Sequence, residues 1–95
     1  MPAYLIAEVE VFDPVIFEQY RAAVPATIAA HGGRYLVRGG ATEVYEGTWQ
    51  PKRMIVLEFP SIERLREWYR CPEYAPLIAL RNQCARTNAI SIEGV

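Results

Sequence analysis

Nine arginines and one lysine face ten glutamates and one aspartate in this 95-residue sequence, which has a single histidine. Few chemistries suit such a set. A Ser-His-Asp relay is disfavoured, because the only aspartate, Asp13, reads as a helix cap. Ser61 also reads as a cap, and Ser91 falls in a strand. His31 stands at the predicted end of a helix, where an imidazole complements the helix dipole. With Cys71 and Cys84 it makes three zinc-type ligands, where a structural Cys/His site takes four, so no metal is expected. Glu8 and Glu10 share a strand face, as paired carboxylates for acid–base work do when their geometry allows it.

The arginines say more. The stretch HGGRYLVRGG, His31–Gly40, places Arg34 and Arg38 four apart. On a regular strand both point to one face. They would hold an anion or carboxylate there, or pair with Glu8, Glu10 or Glu58. Desolvated charges are normally paired, which favours the second reading. The glycines have no phosphate-loop context: the first pair ends a helix and the second follows a strand. The stretch EWYRCPEY gathers Trp68, Tyr69 and Tyr74 around a helix break. Such aromatics either wall a pocket and supply phenol donors or simply pack in a core and a dimer contact. Met1-Pro2 opens one further route, since loss of Met1 would leave Pro2 with the free secondary amine that tautomerase-type enzymes use.

These residues need a frame. AYLIAEVEV, Ala3–Val11, alternates as a strand with Leu5, Ala7, Val9 and Val11 on one face. Asp13 caps a helix that starts at Pro14 and carries the stripe Phe17, Tyr20, Val24, Ile28, with a kink expected at Pro25. RYLVR and TEVYEG read as short strands and RMIVLEF, Arg53–Phe59, as a strong one. Ser61 caps a second helix bearing Ile62, Leu65 and Tyr69. A third restarts at Pro72 and runs through Tyr74, Leu77, Ile78 and Arg81. TNAISIEG closes as a strand. With one short strand demoted, the order is β-α-β-β-α-β, the ferredoxin-like α+β plan with an antiparallel sheet and helices on one face. The other face mixes Tyr4, Ile6, Met54 and Val56 with Glu8, Glu10 and Glu58. It is too apolar for water and too charged for a dry core.

Residues 1–95 make one domain. The 52% apolar content is high for this size and points to self-association. A net charge of −1 leaves no basic excess for nucleic acid. The apolar runs are too short to span a membrane, and the N-terminus lacks a basic leader, so a cytoplasmic, reduced setting is expected.

The pieces YLIAEVEVFDP, GGRYLVRGG, EGTWQPKRMIVLEFPS and WYRCPEY, in this order, resemble the domain-of-unknown-function family 1330 over nearly the full chain. The family's motif positions fall on Gly33, Arg38, Gly39, Gly40, Gly47, Arg53, Glu58, Phe59, Trp68, Tyr69 and Tyr74. The resemblance implies a ferredoxin-like subunit whose sheet pairs with a second copy in a dimeric α+β barrel. It transfers no reaction. Larger dimeric-barrel relatives include cofactor-free monooxygenases and dehalogenating and decarboxylating enzymes.

The resulting expectation is a homodimer binding a small aromatic or carboxylate molecule between sheet and helices, with no cofactor and, if catalytic, cofactor-free chemistry. Arg38 is expected to hold the anionic group, Tyr69 and Tyr74 to hydrogen-bond, and Trp68 to form a wall. Glu58 is expected to orient Arg38 or Arg53, while Gly33, Gly39, Gly40 and Gly47 are structural. One alternative is a non-catalytic dimer in which Arg38, Arg53 and Glu58 form an internal ion network. The other is the Pro2 tautomerase.

Overall fold

A computed structural model describes residues 1–95. Alternation sets the first strand, β1 (Ala3–Val11): Ala3, Leu5, Ala7 and Val9 are buried while Tyr4, Ile6, Glu8 and Glu10 face the other way. Helix α1 (Pro14–Ala30) begins where the Asp13 carboxylate accepts from the backbone N–H of Val15 and Ile16, both at 3.2 Å. It ends at His31, whose Nδ1 lies 3.0 Å from the Thr27 carbonyl. Strands β2 (Arg34–Arg38) and β3 (Arg53–Phe59) follow. Helices α2 (Ile62–Arg70) and α3 (Ala75–Cys84) lead to the last strand, β4 (Ala85–Glu93). The four strands form one antiparallel sheet in the order β2-β3-β1-β4, the ferredoxin-like arrangement.

Three sequence expectations change. TEVYEG is not a strand. Both edges of β3 and both edges of β1 are already paired, and Val44 and Tyr45 stay exposed, so extension there gains no burial. The segment leads instead into a strap that is pinned where Glu8 Oε2 accepts from Trp49 Nε1 at 2.9 Å and from the Lys52 backbone N–H at 3.2 Å. Those two bonds hold the Glu8 carboxyl below its ordinary value. The third helix starts at Ala75 rather than Pro72, after a turn in which Tyr74 N–H donates to the Cys71 carbonyl.

The third change is the most consequential. Arg34 and Arg38 do not share a face. The β2–β3 register shifts between Tyr35 and Val37, a bulge at Leu36. Arg34 lies opposite Glu58 and Arg38 opposite Ile55, so the extra residue turns Arg38 to the helix side. Arg34 stays on the outer face and meets Glu58 at 2.7 Å.

The helices cover one face. Val24 and Ile28 of α1, with Leu65 and Trp68 of α2, pack on Ala3, Leu5, Leu57 and Phe59. Gly33 lies against the Phe59 ring, where an added Cβ would fall 2.5 Å from a ring carbon. Cys71 and Cys84 are free and buried, and burial raises the Cys84 thiol above its ordinary value. The outer sheet face is bare: Ile90 is 60% and Ile92 50% exposed. No helix is long and apolar enough to cross a membrane.

Candidate functional site

The sheet rows explain why a cavity exists. Leu57 and Leu5 fill one row beneath the helices. In the next, Ile55, Ala7 and Ala89 stand side by side, and two methyl groups cannot reach the helix layer. In the row after that come Arg53, Val9 and Thr87. A cavity therefore opens over Ala7 and Ala89, floored by the sheet and roofed by α1, α2 and α3. It offers ≈ 50 Å³ to the centres of water-sized atoms. That is about four times what one water needs, which suits a molecule of roughly one ring.

The walls are aromatic. Trp68, 1% exposed, stacks on Tyr74 with centroids 4.2 Å apart, and its Nε1 donates to Thr27 Oγ1 at 3.0 Å. Tyr69 meets both rings edge-on. Phe17 and Tyr20 come from the α1 stripe and Tyr35 from β2. The Tyr20 and Tyr74 hydroxyls are 2.8 Å apart, and Arg81 Nη1 donates to the Tyr74 oxygen at 3.3 Å. Two phenol protons share that single hydroxyl–hydroxyl bond, so one remains free to donate into the cavity. Burial, reinforced by Tyr20, raises Tyr74 well above an ordinary tyrosine, and burial likewise raises Tyr35. Both phenols are protonated donors near neutral pH.

The cavity is cationic and lacks a counter-charge. Arg21, Arg38, Arg53 and Arg81 line it, and no Asp or Glu does. Arg21 pairs with Glu18 at 3.2 Å, but Arg38, Arg53 and Arg81 enter no ion pair. Arg81 is only 8% exposed. Burial opposes its charge, and the oxygens of Tyr74 and Tyr20 outweigh that effect, so the guanidinium stays charged. Buried charges are ordinarily paired. Here the Nε of Arg53, the Nε of Arg81 and Oγ1 of Thr87 are buried side-chain atoms without a hydrogen-bond partner, and all three residues line this one cavity.

Arg38 has a different task. Its guanidinium lies 4.6 Å from the Tyr35 ring centroid, a cation–π contact, and its Nη2 donates to the Arg21 carbonyl at 3.3 Å. That carbonyl is the one Pro25 leaves without a helical donor, because proline at i+4 has no N–H. The helix runs on through Pro25, and the bulge-turned arginine supplies the missing bond. Gly39 then takes φ +74°, and its missing side chain admits Arg53: a Cβ there would fall 2.6 Å from Arg53 Nη1.

Of the residues singled out from sequence, Arg38, Arg53, Trp68, Tyr69 and Tyr74 line the cavity. Glu58 does not. It alternates with Leu57 onto the outer face and pairs with Arg34, so it orients neither Arg38 nor Arg53, and the internal ion network of the three does not form. Pro2 is not a cavity residue, and its carbonyl accepts from Gly94 N–H at 2.8 Å. Gly40 and Gly47 have no neighbour within 4 Å of an added Cβ. No three His, Cys, Asp or Glu side chains gather as a metal site would need. Sequence reasoning missed Tyr20, Arg81 and Thr87 as site residues. The signal for Arg81 was present, since it sits on the inward stripe with Tyr74 and Ile78, where a charge has no reason to be unless something meets it.

One protein family matches residues 2–95, described as domain of unknown function DUF1330. No curated protein matches the chain. Among solved structures, the chain is similar to RPA0582, a protein of unknown function from Rhodopseudomonas palustris, at TM-score 0.75 and 15% identity over 99% of this chain and 82% of that one. It is similar to SnoaB, a cofactor-independent oxygenase from Streptomyces nogalater, at TM-score 0.69 and 13% identity over 99% and 93%. A dimeric protein of unknown function and ferredoxin-like fold from Bacteroides fragilis matches at TM-score 0.63 and 15% identity over 98% and 96%. At these identities the likeness shows the fold alone.

Proposed function

The chain belongs to the DUF1330 family, and from that premise we propose that its cavity binds a small organic anion with a flat, apolar body. One observation carries the reading: three arginines without a carboxylate partner line a cavity of aromatic walls, two of them with an unpartnered, buried Nε. The polar side chains that line the site are guanidiniums, hydroxyls and the Trp68 indole, with no carboxylate or imidazole among them. Such a site stabilises oxygen anions, whether a carboxylate or the enolate or phenolate of an activated carbon acid. If the protein is an enzyme, its part is to bind and hold that oxyanion while the substrate itself reacts, and the fold likeness to a cofactor-independent oxygenase is compatible with this.

Benzoate is the simplest probe. In a Trp49→Phe background the fluorescence reports Trp68 alone. Benzoate should change it saturably, and benzamide, its uncharged counterpart, should bind at least about tenfold more weakly. Ala7→Leu fills the floor and should abolish both responses while the melting temperature holds. Equal affinity for benzoate and benzamide, or full binding by Ala7→Leu, refutes the reading.

The same proposal includes a homodimer through the outer sheet face. Ile6, Val37, Ile90 and Ile92 give that face an apolar centre, with Glu8, Glu10, Arg34 and Arg86 around it, the makeup of an interface core and rim. Light scattering should give twice the 10.8 kDa chain mass, and Ile92→Glu should return it to the single-chain value. A monomeric wild type rules the dimer out.

A further inference from the structure

Resting on the anion-binding reading, we infer that the ligand carries two separate acidic groups: it is a small dicarboxylate on about one ring. Arg53 and Arg81 come from different elements, β3 and α3. Each lies near its own ring of α1: Arg53 Cζ is 5.9 Å from the Phe17 centroid, and Arg81 Cζ is 5.9 Å from that of Tyr20. Each keeps its own unpartnered Nε. One carboxylate aligns with the edge of one guanidinium. A monoanion held by Arg81 therefore leaves Arg53 unmet, together with the Thr87 hydroxyl two positions along the same sheet row. Charge points the same way. Arg38, Arg53 and Arg81 bring three positive charges to a cavity without a carboxylate. A dianion compensates them far better than a monoanion.

The two guanidiniums are not equivalent. Arg81 is the more deeply buried and touches the Tyr74–Tyr20 pair, so it takes the first carboxylate. Arg53 takes the second. Its place is set by Gly39, the one neighbour whose lack of a side chain lets the guanidinium lie where it does.

The three benzenedicarboxylate isomers, compared with benzoate by calorimetry at one pH and salt concentration, test this. At least one isomer should bind about tenfold or more tightly than benzoate. Arg53→Met should cost that isomer at least about tenfold and benzoate clearly less, so that the two affinities converge. Arg53→Gln, which keeps a polar head, serves if the methionine variant melts early. If benzoate binds and no isomer binds more tightly, the second acidic group is refuted and the anion site stands. If the gain survives Arg53→Met and Arg53→Gln, the assignment of Arg53 is refuted. If neither benzoate nor any isomer binds, the anion site itself is refuted.

Discussion

Arg81→Met should abolish measurable binding of anionic ligands and leave the fold at least as stable as before. The two effects have one cause. Truncating a buried charge that meets an opposite charge costs about 2–5 kcal/mol of binding, or roughly 30-fold and upward in affinity. In the free protein, however, Arg81 meets no opposite charge. Its Nε is unpartnered, and its one side-chain hydrogen bond is the 3.3 Å contact to Tyr74. Replacing a desolvated, uncompensated ion by an apolar side chain of similar length is neutral to stabilising, by up to ~4 kcal/mol in favourable cases. The Tyr74 hydroxyl keeps its bond to Tyr20, so the substitution strands no new polar group. Calorimetric titration and a thermal melt on the same sample measure both effects. A variant that binds normally removes Arg81 from the site. A variant that loses several degrees of melting temperature shows that the guanidinium serves the fold, not a ligand.

That contrast bears on how sites and folds are written in sequences. The elements were legible because they rest on local signals. Alternation gives β1, Asp13-Pro14 the start of α1, and Ser61 the start of α2, where its hydroxyl accepts from Arg64 N–H at 3.2 Å. The aromatic wall was legible too, because Trp68, Tyr69 and Tyr74 sit close together in the chain. The arginines were harder. Arg34 and Arg38 share a period-two face only on an unbroken ladder, and no residue type in RYLVR announces that Leu36 is extra. That single insertion moves Arg38 from the outer face to the cavity and separates it from Glu58. The cavity itself depends on Ala7 and Ala89, more than eighty residues apart in sequence, lying side by side in the sheet. Pairing of that range is tertiary information. Arg81 was visible as an anomaly on an inward stripe, but its meaning needed the absence of a carboxylate across the cavity, which only the folded chain displays.

Trp68→Ala should be the most damaging single change in the chain, and it should damage fold and site together. Removing a fully buried tryptophan costs about 3–5 kcal/mol, through lost transfer energy and the void left behind. A domain of this length has about 5–14 kcal/mol to lose. Here the ring is 1% exposed, stacks on Tyr74 at 4.2 Å and tilts against Phe59 at 5.3 Å, so it braces α2 against both the sheet and the α3 turn. Its Nε1 bond to Thr27 goes too, although Thr27 Oγ1 still donates to the Val24 carbonyl at 2.7 Å. Tyr74 then loses its stacked neighbour and keeps only the edge contact of Tyr69 and its hydroxyl bonds, so the phenol pair that meets Arg81 loosens. Urea unfolding followed by circular dichroism should show the midpoint falling by about a fifth or more with an unchanged slope. Trp68→Phe, which keeps a ring and gives up the hydrogen bond, should recover over half of the loss. A saturating anionic ligand should raise the midpoint of Trp68→Phe, as mass action on the native state requires, and should leave Arg81→Met unmoved. A loss below about 1 kcal/mol in Trp68→Ala would show that the wall is not what holds the cavity open.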